Sequence, residues 1–443
     1  MRRTLPRRRT AVRSVDLFLS PQSIEDVSDY EYVRVFARHG SRVVGFADIA
    51  HHRGSVSARQ VGEALVDALG IRLLPGVSGA AADRAWMQVL LALARQLLPD
   101  DEADIVETSP LEADVSASVV VATLDRPGEL RECLQCLTAQ ESTRQVQIVV
   151  VDNNPASRLT PAVVEQFPDV VLVEEPRKGL SYARNAGILA ATGEIVAMTD
   201  DDVRTPPNWL ENLLAPFARG DVAAVTGNVL PLELDTLAQR LFESYGGLGR
   251  GFDRVEYDGA WFESKRSAPP TWLIGATANA AFRSSVFRDR DIGLLHETLG
   301  PGTPAGVGED TYLFYKILKS GHTIVYEPSA YVWHRHRAEM RALRQQLFGY
   351  SKGHVAYHLT TLIEDHDLRA LVYLGARLPA GHLRRLVQGL RGDTTYLLRL
   401  NLLEIVGNLA GPLAFWQSRR RARRLGPSNS STSAAAQAST SAR

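Results

Sequence analysis

The chain has 443 residues, enough for more than one domain. It is 45% apolar and 23% charged with a formal net charge of zero, which fits a globular protein and excludes an overall basic field that would draw it to nucleic acid. Its two cysteines, Cys133 and Cys136, exclude a disulfide framework and fit a reducing compartment, so a cytoplasmic location is expected. They read as helix-surface thiols, with a redox CxxC pair as the alternative.

The charge is unevenly spread. Arg2, Arg3, Arg7, Arg8, Arg9 and Arg13 open the chain, and residues 1–14 read as a disordered basic tail. No apolar run follows them, so the secretory pattern is missing its second part. Residues 15–98 read as an accessory α/β domain. Tyr32 to Arg38 alternates like a strand, Ser57 opens a capped helix, and Ala85 to Leu98 reads as an apolar helix. Residues 99–116 are acidic and weakly patterned, as a linker would be.

From residue 117 the rhythm changes. Short runs that are apolar on both faces begin at Ser118, Gln147, Val170 and Glu194, and they alternate with helices near Glu129–Gln140, Pro161–Phe167 and Ser181–Ala191. Such alternation predicts an α/β fold with a mainly parallel central sheet flanked by helices. Ligands bind such sheets at the carboxyl ends of the strands, where Thr123, Asp152 and Asp200 fall. Residues 341–425 read as mainly helical, and 426–443 as a disordered Ser/Ala-rich tail. No stretch reaches the length and apolarity of a spanning helix; the nearest, Tyr396 to Trp416, is interrupted by Arg399, Asn401, Glu404 and Asn408.

Five groups of residues carry chemical potential. Asp200-Asp201-Asp202 places three mutually repelling carboxylates after a buried strand, an arrangement that a hard cation such as Mg²⁺ or Mn²⁺ relieves. An acidic loop capping the next helix is the plainer reading. Asp152 can accept a hydrogen bond from a nucleobase N–H, or make an Asx turn with Asn153 and Asn154. Arg177, Lys178, Arg184 and Asn185 surround a helix start and suit a diphosphate, or a solvated basic face. Glu309-Asp310 follows the glycine-rich stretch Gly300 to Gly306, which suits a general base fed by a closing loop, or a helix start that favours acids. His334 and His336 alternate onto one strand face, as metal or phosphate contacts or as structural histidines.

The order of these groups is similar to that of inverting glycosyltransferase family 2, with its GT-A fold. The resemblance covers about 117–340 and is strongest over the continuous stretch from Lys178 to Asp202. It implies that Thr123, Asp125 and Arg126 form the donor loop and that Asp152 reads the base, usually uracil. It places Lys178, Arg184, Asn185 and Asp201 beside the donor. It assigns the metal, Mn²⁺ or Mg²⁺, to Asp200, Asp202 and His334. It makes Asp310 the base with Glu309 as its neighbour, and puts Trp272, Gly275 and Asn279 on the acceptor side. The opening Ala-Thr-Leu-Asp-Arg departs from the family's commoner Pro-Thr-Tyr-Asn, and no Gln-x-x-Arg-Trp of the processive synthases is present, so transfer of one sugar is expected.

The activity so implied is inverting, metal-dependent transfer from a nucleoside-diphosphate sugar, UDP favoured, to the hydroxyl of an unidentified glycan, lipid-linked or other acceptor. A nucleotidyltransferase and an inactive nucleotide- or glycan-binding module are the alternatives. The apolar stretch Leu397–Trp416, followed by Arg419, Arg420, Arg421, Arg423 and Arg424, leaves two readings open: a peripheral site on an anionic membrane at the inner face of the cell, or a packed helix with a solvated basic end.

Overall fold

The computed structural model describes residues 9–17, 19, 22–50, 55–70, 111–391 and 397–428. Most of the opening tail, the 85–98 helix, most of the acidic linker and nearly all of the C-terminal tail lie outside these residues.

The N-terminal region is a three-stranded sheet in the order β1 (Thr10–Asp16), β2 (Tyr32–His39), β3 (Arg42–Ala50), with helix α1 (Ala58–Leu69) packed on it. Here the reading of 1–14 as a tail needs correction. Thr10–Asp16 pairs in parallel with Tyr32–Arg38, because Ala11 turns inward to a small core with Val33, Val35 and Val61. The arginine-rich composition had masked that alternation. Ser57 closes a capping box with Gln60 at the start of α1, which satisfies two otherwise orphaned helix-end groups.

The larger region is built on nine strands: β4 (Ala117–Thr123), β5 (Val146–Asp152), β6 (Val170–Glu174), β7 (Ile195–Asp200), β8 (Val203–Arg204), β9 (Val222–Pro231), β10 (Val255–Tyr257), β11 (Asn279–Arg283) and β12 (Thr323–His334). Their order is β10-β12-β9-β11-β7-β4-β5-β6, with β8 on β12. β4, β5, β6, β7, β9 and β12 run one way; β8, β10 and β11 run the other. β4 is buried on both faces because helices cover both sides of the sheet. Each enclosed Val119, Val120 or Val121 contributes roughly 1.5–3 kcal/mol by leaving water.

The covering helices are α2 (Pro127–Thr138), α3 (Pro161–Val164), α4 (Leu180–Ala190), α5 (Trp209–Leu214), α6 (Leu237–Ser244), α7 (Gly259–Glu263) and α8 (Glu309–Lys319). The C-terminal region is helical, as α9 (Met340–Glu364), α10 (Arg369–Val372), α11 (Leu378–Arg391) and α12 (Leu398–Leu425). Cys133 is not a surface thiol. It is fully buried in the α2 stripe with Leu130, Leu134 and Leu137, and burial pushes its thiol well above the ordinary value. Both cysteines are free. Among the described residues no helix is long and apolar enough to cross a membrane.

Candidate functional site

Three parallel strands deliver the floor of the site. Register pairs Thr123 with Asp152 and Ala122 with Asp200, so the ends of β4, β5 and β7 lie side by side. Asp152 is fully buried. Its Oδ1 accepts from the Asn154 backbone N–H at 2.9 Å, whereas Oδ2 is buried with no hydrogen-bond partner. A buried carboxylate oxygen left open is costly unless a ligand donates to it. Asp125 takes a left-handed backbone (φ 57°), and its carboxylate accepts from Asn154 Nδ2 at 2.8 and 3.0 Å. Hydrogen bonds from Ser157 and Asn154 hold it below its ordinary value.

The three consecutive aspartates are separated by different partners. Asp200 Oδ1 accepts from Arg184 Nη2 at 2.7 Å. Asp201 turns toward β4, accepting from Thr123 Oγ1 at 2.8 Å and Arg126 Nη1 at 3.0 Å. The same Arg126 nitrogen reaches Asp202 Oδ2 at 2.9 Å. Burial raises Asp201 to about 7 against the pull of Arg126. Thr123, Arg126 and Asp201 therefore form a buttress behind the site.

Asp200, Asp202 and His334 each present one ligating atom, and all three atoms lie within 4.8 Å of one another. His334 Nε2 stands 3.3 Å from Asp202 Oδ1, which is buried without a hydrogen-bond partner. Burial lowers the His334 pKa, which keeps the imidazole neutral and able to ligate. Two carboxylate oxygens and one imidazole nitrogen, one oxygen orphaned, suit Mn²⁺ or Mg²⁺ with sites left for a diphosphate.

At the start of α8, Gly308 adopts φ 111° and turns Glu309 inward. Glu309 accepts from Arg184 Nη1 at 3.0 Å and is 4% exposed. Burial, then repulsion from Asp310, raises its pKa. Asp310 is half-buried; its Oδ1 accepts from the Thr311 N–H at 2.6 Å, and its other oxygen has no partner among the described residues. Arg184 is thus one buried cation joining Asp200 to Glu309. The preceding loop is tied down rather than loose. Ser181 Oγ donates to Leu299 O, Leu180 N to Pro301 O, and Arg421 Nη1 to Gly302 O.

Other expected contacts have different work in the fold. Asn185 donates to Leu295 O and accepts from Leu295 N, clamping α4 to that loop. Lys178 is exposed, and its carbonyl accepts from Arg421. Asn279 is fully buried; it accepts from Trp209 Nε1 and donates to Asn228 O and Ala330 O, cross-linking the strands beneath the site. Gly275 lies so close to β9 that a Cβ there would meet Thr226 at 2.6 Å. Trp272 is half-buried, edge-on to His354 at 4.7 Å and Tyr373 at 5.2 Å. Sequence reasoning missed Glu243, whose Oε1 meets His336 Nε2 at 2.8 Å; nothing in its local sequence marks it.

Residues 118–291 match the model of glycosyl transferase family 2, and the α/β architecture with its strand-end acids is of GT-A type. Through that region the chain is similar to glycosyl transferase family 2. The pre-mycofactocin glycosyltransferase of Mycobacterium tuberculosis is 30% identical over 282 residues, 61% of this chain and 54% of that protein. The succinoglycan biosynthesis protein ExoM of Rhizobium meliloti is 28% identical over 223 residues, 48% of this chain and 64% of that protein. The chain thus spans about half to two thirds of the length of these curated relatives. A mannosyltransferase from Pyrobaculum calidifontis, solved with GDP-Man and Mn²⁺, is 20% identical with a TM-score of 0.41, covering 82% of this chain and 90% of that one.

Proposed function

We propose that this protein transfers one sugar from a nucleoside-diphosphate sugar to an acceptor hydroxyl with inversion, and that it needs a divalent cation. The observation that carries the reading is the convergence of Asp200, Asp202 and His334 around the orphaned Asp202 oxygen, beside the buried Glu309 and its half-buried neighbour Asp310. Asp200, Asp202 and His334 would hold the cation, which when bound would supply charge to offset that of the leaving diphosphate. Asp152 reads the base. With Oδ1 already accepting from Asn154, its open Oδ2 suits a single N–H such as N3–H of uracil, which favours UDP.

Asp310 is the base in this reading. Its open oxygen takes the proton as the acceptor oxygen bonds to the anomeric carbon and the bond from that carbon to the phosphate oxygen breaks. Glu309, held by Arg184, fixes the helix start on which Asp310 stands. The test is release of nucleoside diphosphate from a panel of nucleotide sugars with Mn²⁺, and the anomeric configuration of any glycoside product. Asp310→Asn should lower turnover at least about a thousandfold while nucleotide binding persists. Nucleotidyl transfer, or nucleotide binding without turnover by the native chain, would sink this reading.

We also infer that α12 rests on an anionic membrane, which suits a lipid-linked acceptor. Leu402, Val406, Leu409, Leu413 and Trp416 are exposed along one face of α12, while Gly407, Gly411 and Phe415 are buried on the other. Exposed Arg399, Arg420, Arg423 and Arg424 flank that stripe. Sedimentation with vesicles containing phosphatidylglycerol should carry the native chain down. Leu409→Asp combined with Leu413→Asp should leave it in solution; equal sedimentation of both would refute the inference.

A further inference from the structure

A line of polar contacts runs from the N-terminal sheet to the candidate metal ligands. Arg34 on β2 is anchored to Asp48 by two hydrogen bonds of 2.7 Å, and its Nη1 lies 3.6 Å from Glu243 Oε2. The other oxygen of Glu243 meets His336 Nε2 at 2.8 Å, and His336 Nδ1 meets His334 Nδ1 at 3.1 Å. His334 Nε2 then faces Asp202 Oδ1 at 3.3 Å. His336 is 3% exposed, and Phe242 packs edge-on against its ring at 4.8 Å, so this imidazole has little freedom to turn.

The donor and acceptor roles follow from one end. Ionised Glu243 can only accept, so His336 Nε2 donates. With Nε2 donating, His336 Nδ1 is free to accept, and His334 Nδ1–H lies 3.1 Å away to donate to it. That leaves the His334 Nε2 lone pair beside an Asp202 oxygen that has no hydrogen-bond partner. Two acceptors held 3.3 Å apart repel each other unless a cation lies between them and their neighbours.

We infer that Glu243 and His336 are positioning residues that fix the tautomer and ring orientation of His334 for a divalent cation, and that the N-terminal sheet supports them through Arg34. The accessory domain thereby contributes to the site through Arg34. This rests on the metal reading proposed above. Partners of this kind behind a ligating histidine typically change metal affinity ten- to a hundredfold.

The test uses the full chain with ¹⁵N-labelled histidine. In metal-free protein at neutral pH, imidazole nitrogen shifts should show His334 protonated at Nδ1 and His336 at Nε2. Mn²⁺ affinity, read from the electron-paramagnetic signal of the free ion, should fall about ten- to a hundredfold in His336→Phe. Arg34→Met should change it in the same direction by a smaller factor. The tautomer measurement needs no variant and so survives misfolding of His336→Phe. His334 protonated at Nε2, or native Mn²⁺ affinity in folded His336→Phe, would overturn the inference. A native chain that takes up no Mn²⁺ would instead overturn the metal reading, and the positioning role with it.

Discussion

Arg184 and Glu309, 125 residues apart in sequence, meet at 3.0 Å in the buried floor of the site. The same guanidinium holds Asp200 at 2.7 Å, so one cation sets the distance between the strand end that carries the aspartates and the helix start that carries Asp310. Arg184→Met strands two acids and should destabilise the fold by about 3–5 kcal/mol, the usual cost of removing one partner from a buried ion pair. Urea unfolding checks this; a native midpoint would mean that the pair is not buried as described.

Asp152 should matter to binding and little to folding. In Asp152→Asn the amide oxygen is needed by the Asn154 N–H, which leaves an NH₂ facing the base N–H. Loss of one charge-assisted hydrogen bond and the clash that replaces it should weaken UDP binding by about 2 kcal/mol, roughly thirtyfold. Calorimetric titration with UDP, alongside a melting curve, separates this from unfolding. Unchanged affinity would remove Asp152 from the donor site.

Gly300 tests the packing beneath Glu309. Its φ of 102° suits glycine, and a Cβ there would meet Ser181 Oγ at 2.7 Å and the Glu309 carboxylate at 3.3 Å. Gly300→Ala should cost about 1–3 kcal/mol of stability from backbone strain alone and lower kcat by shifting Glu309. A variant with native stability and kcat would show that the loop adapts freely.

His354, packed edge-on to Trp272, gives the protein a pH dependence away from the acids. Burial lowers its pKa from the ordinary 6.5 to about 4. Between those values the unfolded chain takes up a proton that the folded chain refuses. The contribution is therefore complete above pH 6.5 and lost as pH falls toward 4. His354→Gln should flatten the decline between pH 6.5 and 5, out of a full contribution of at most about 3 kcal/mol. Parallel stability curves for native and variant chains would contradict this.

The parts legible in the sequence were those set by local pattern. Val119 to Val121 and Ile148 to Val151 are apolar on both faces because helices cover both, so the parallel strands and the acids at their ends could be read directly. The helix expected at Ser181–Ala191 shifted by one residue, to Leu180–Ala190, whereas that expected at Pro161–Phe167 stops three residues early, at Val164. What could not be read was which way a polar side chain turns. Asn185 and Asn279 sit among donor- and acceptor-side motifs, yet both are taken up by backbone groups of distant segments. The partners of Arg184 and His336 come from 125 and 93 residues away, where no local periodicity reports them. Cys133 is a different case: its spacing from Leu130, Leu134 and Leu137 already marks the buried stripe.

Asp200, Asp202 and His334 are proposed to hold a divalent cation that binds the donor diphosphate. The most direct measurement is the melting temperature of the native chain and of Asp202→Ala with UDP, in the presence of Mn²⁺ or of a chelator. A ligand that binds only the folded state raises the melting temperature by mass action. UDP should raise it only with Mn²⁺, and only in the native chain. An equal rise under chelator, or no rise with UDP or GDP under any metal, would contradict this.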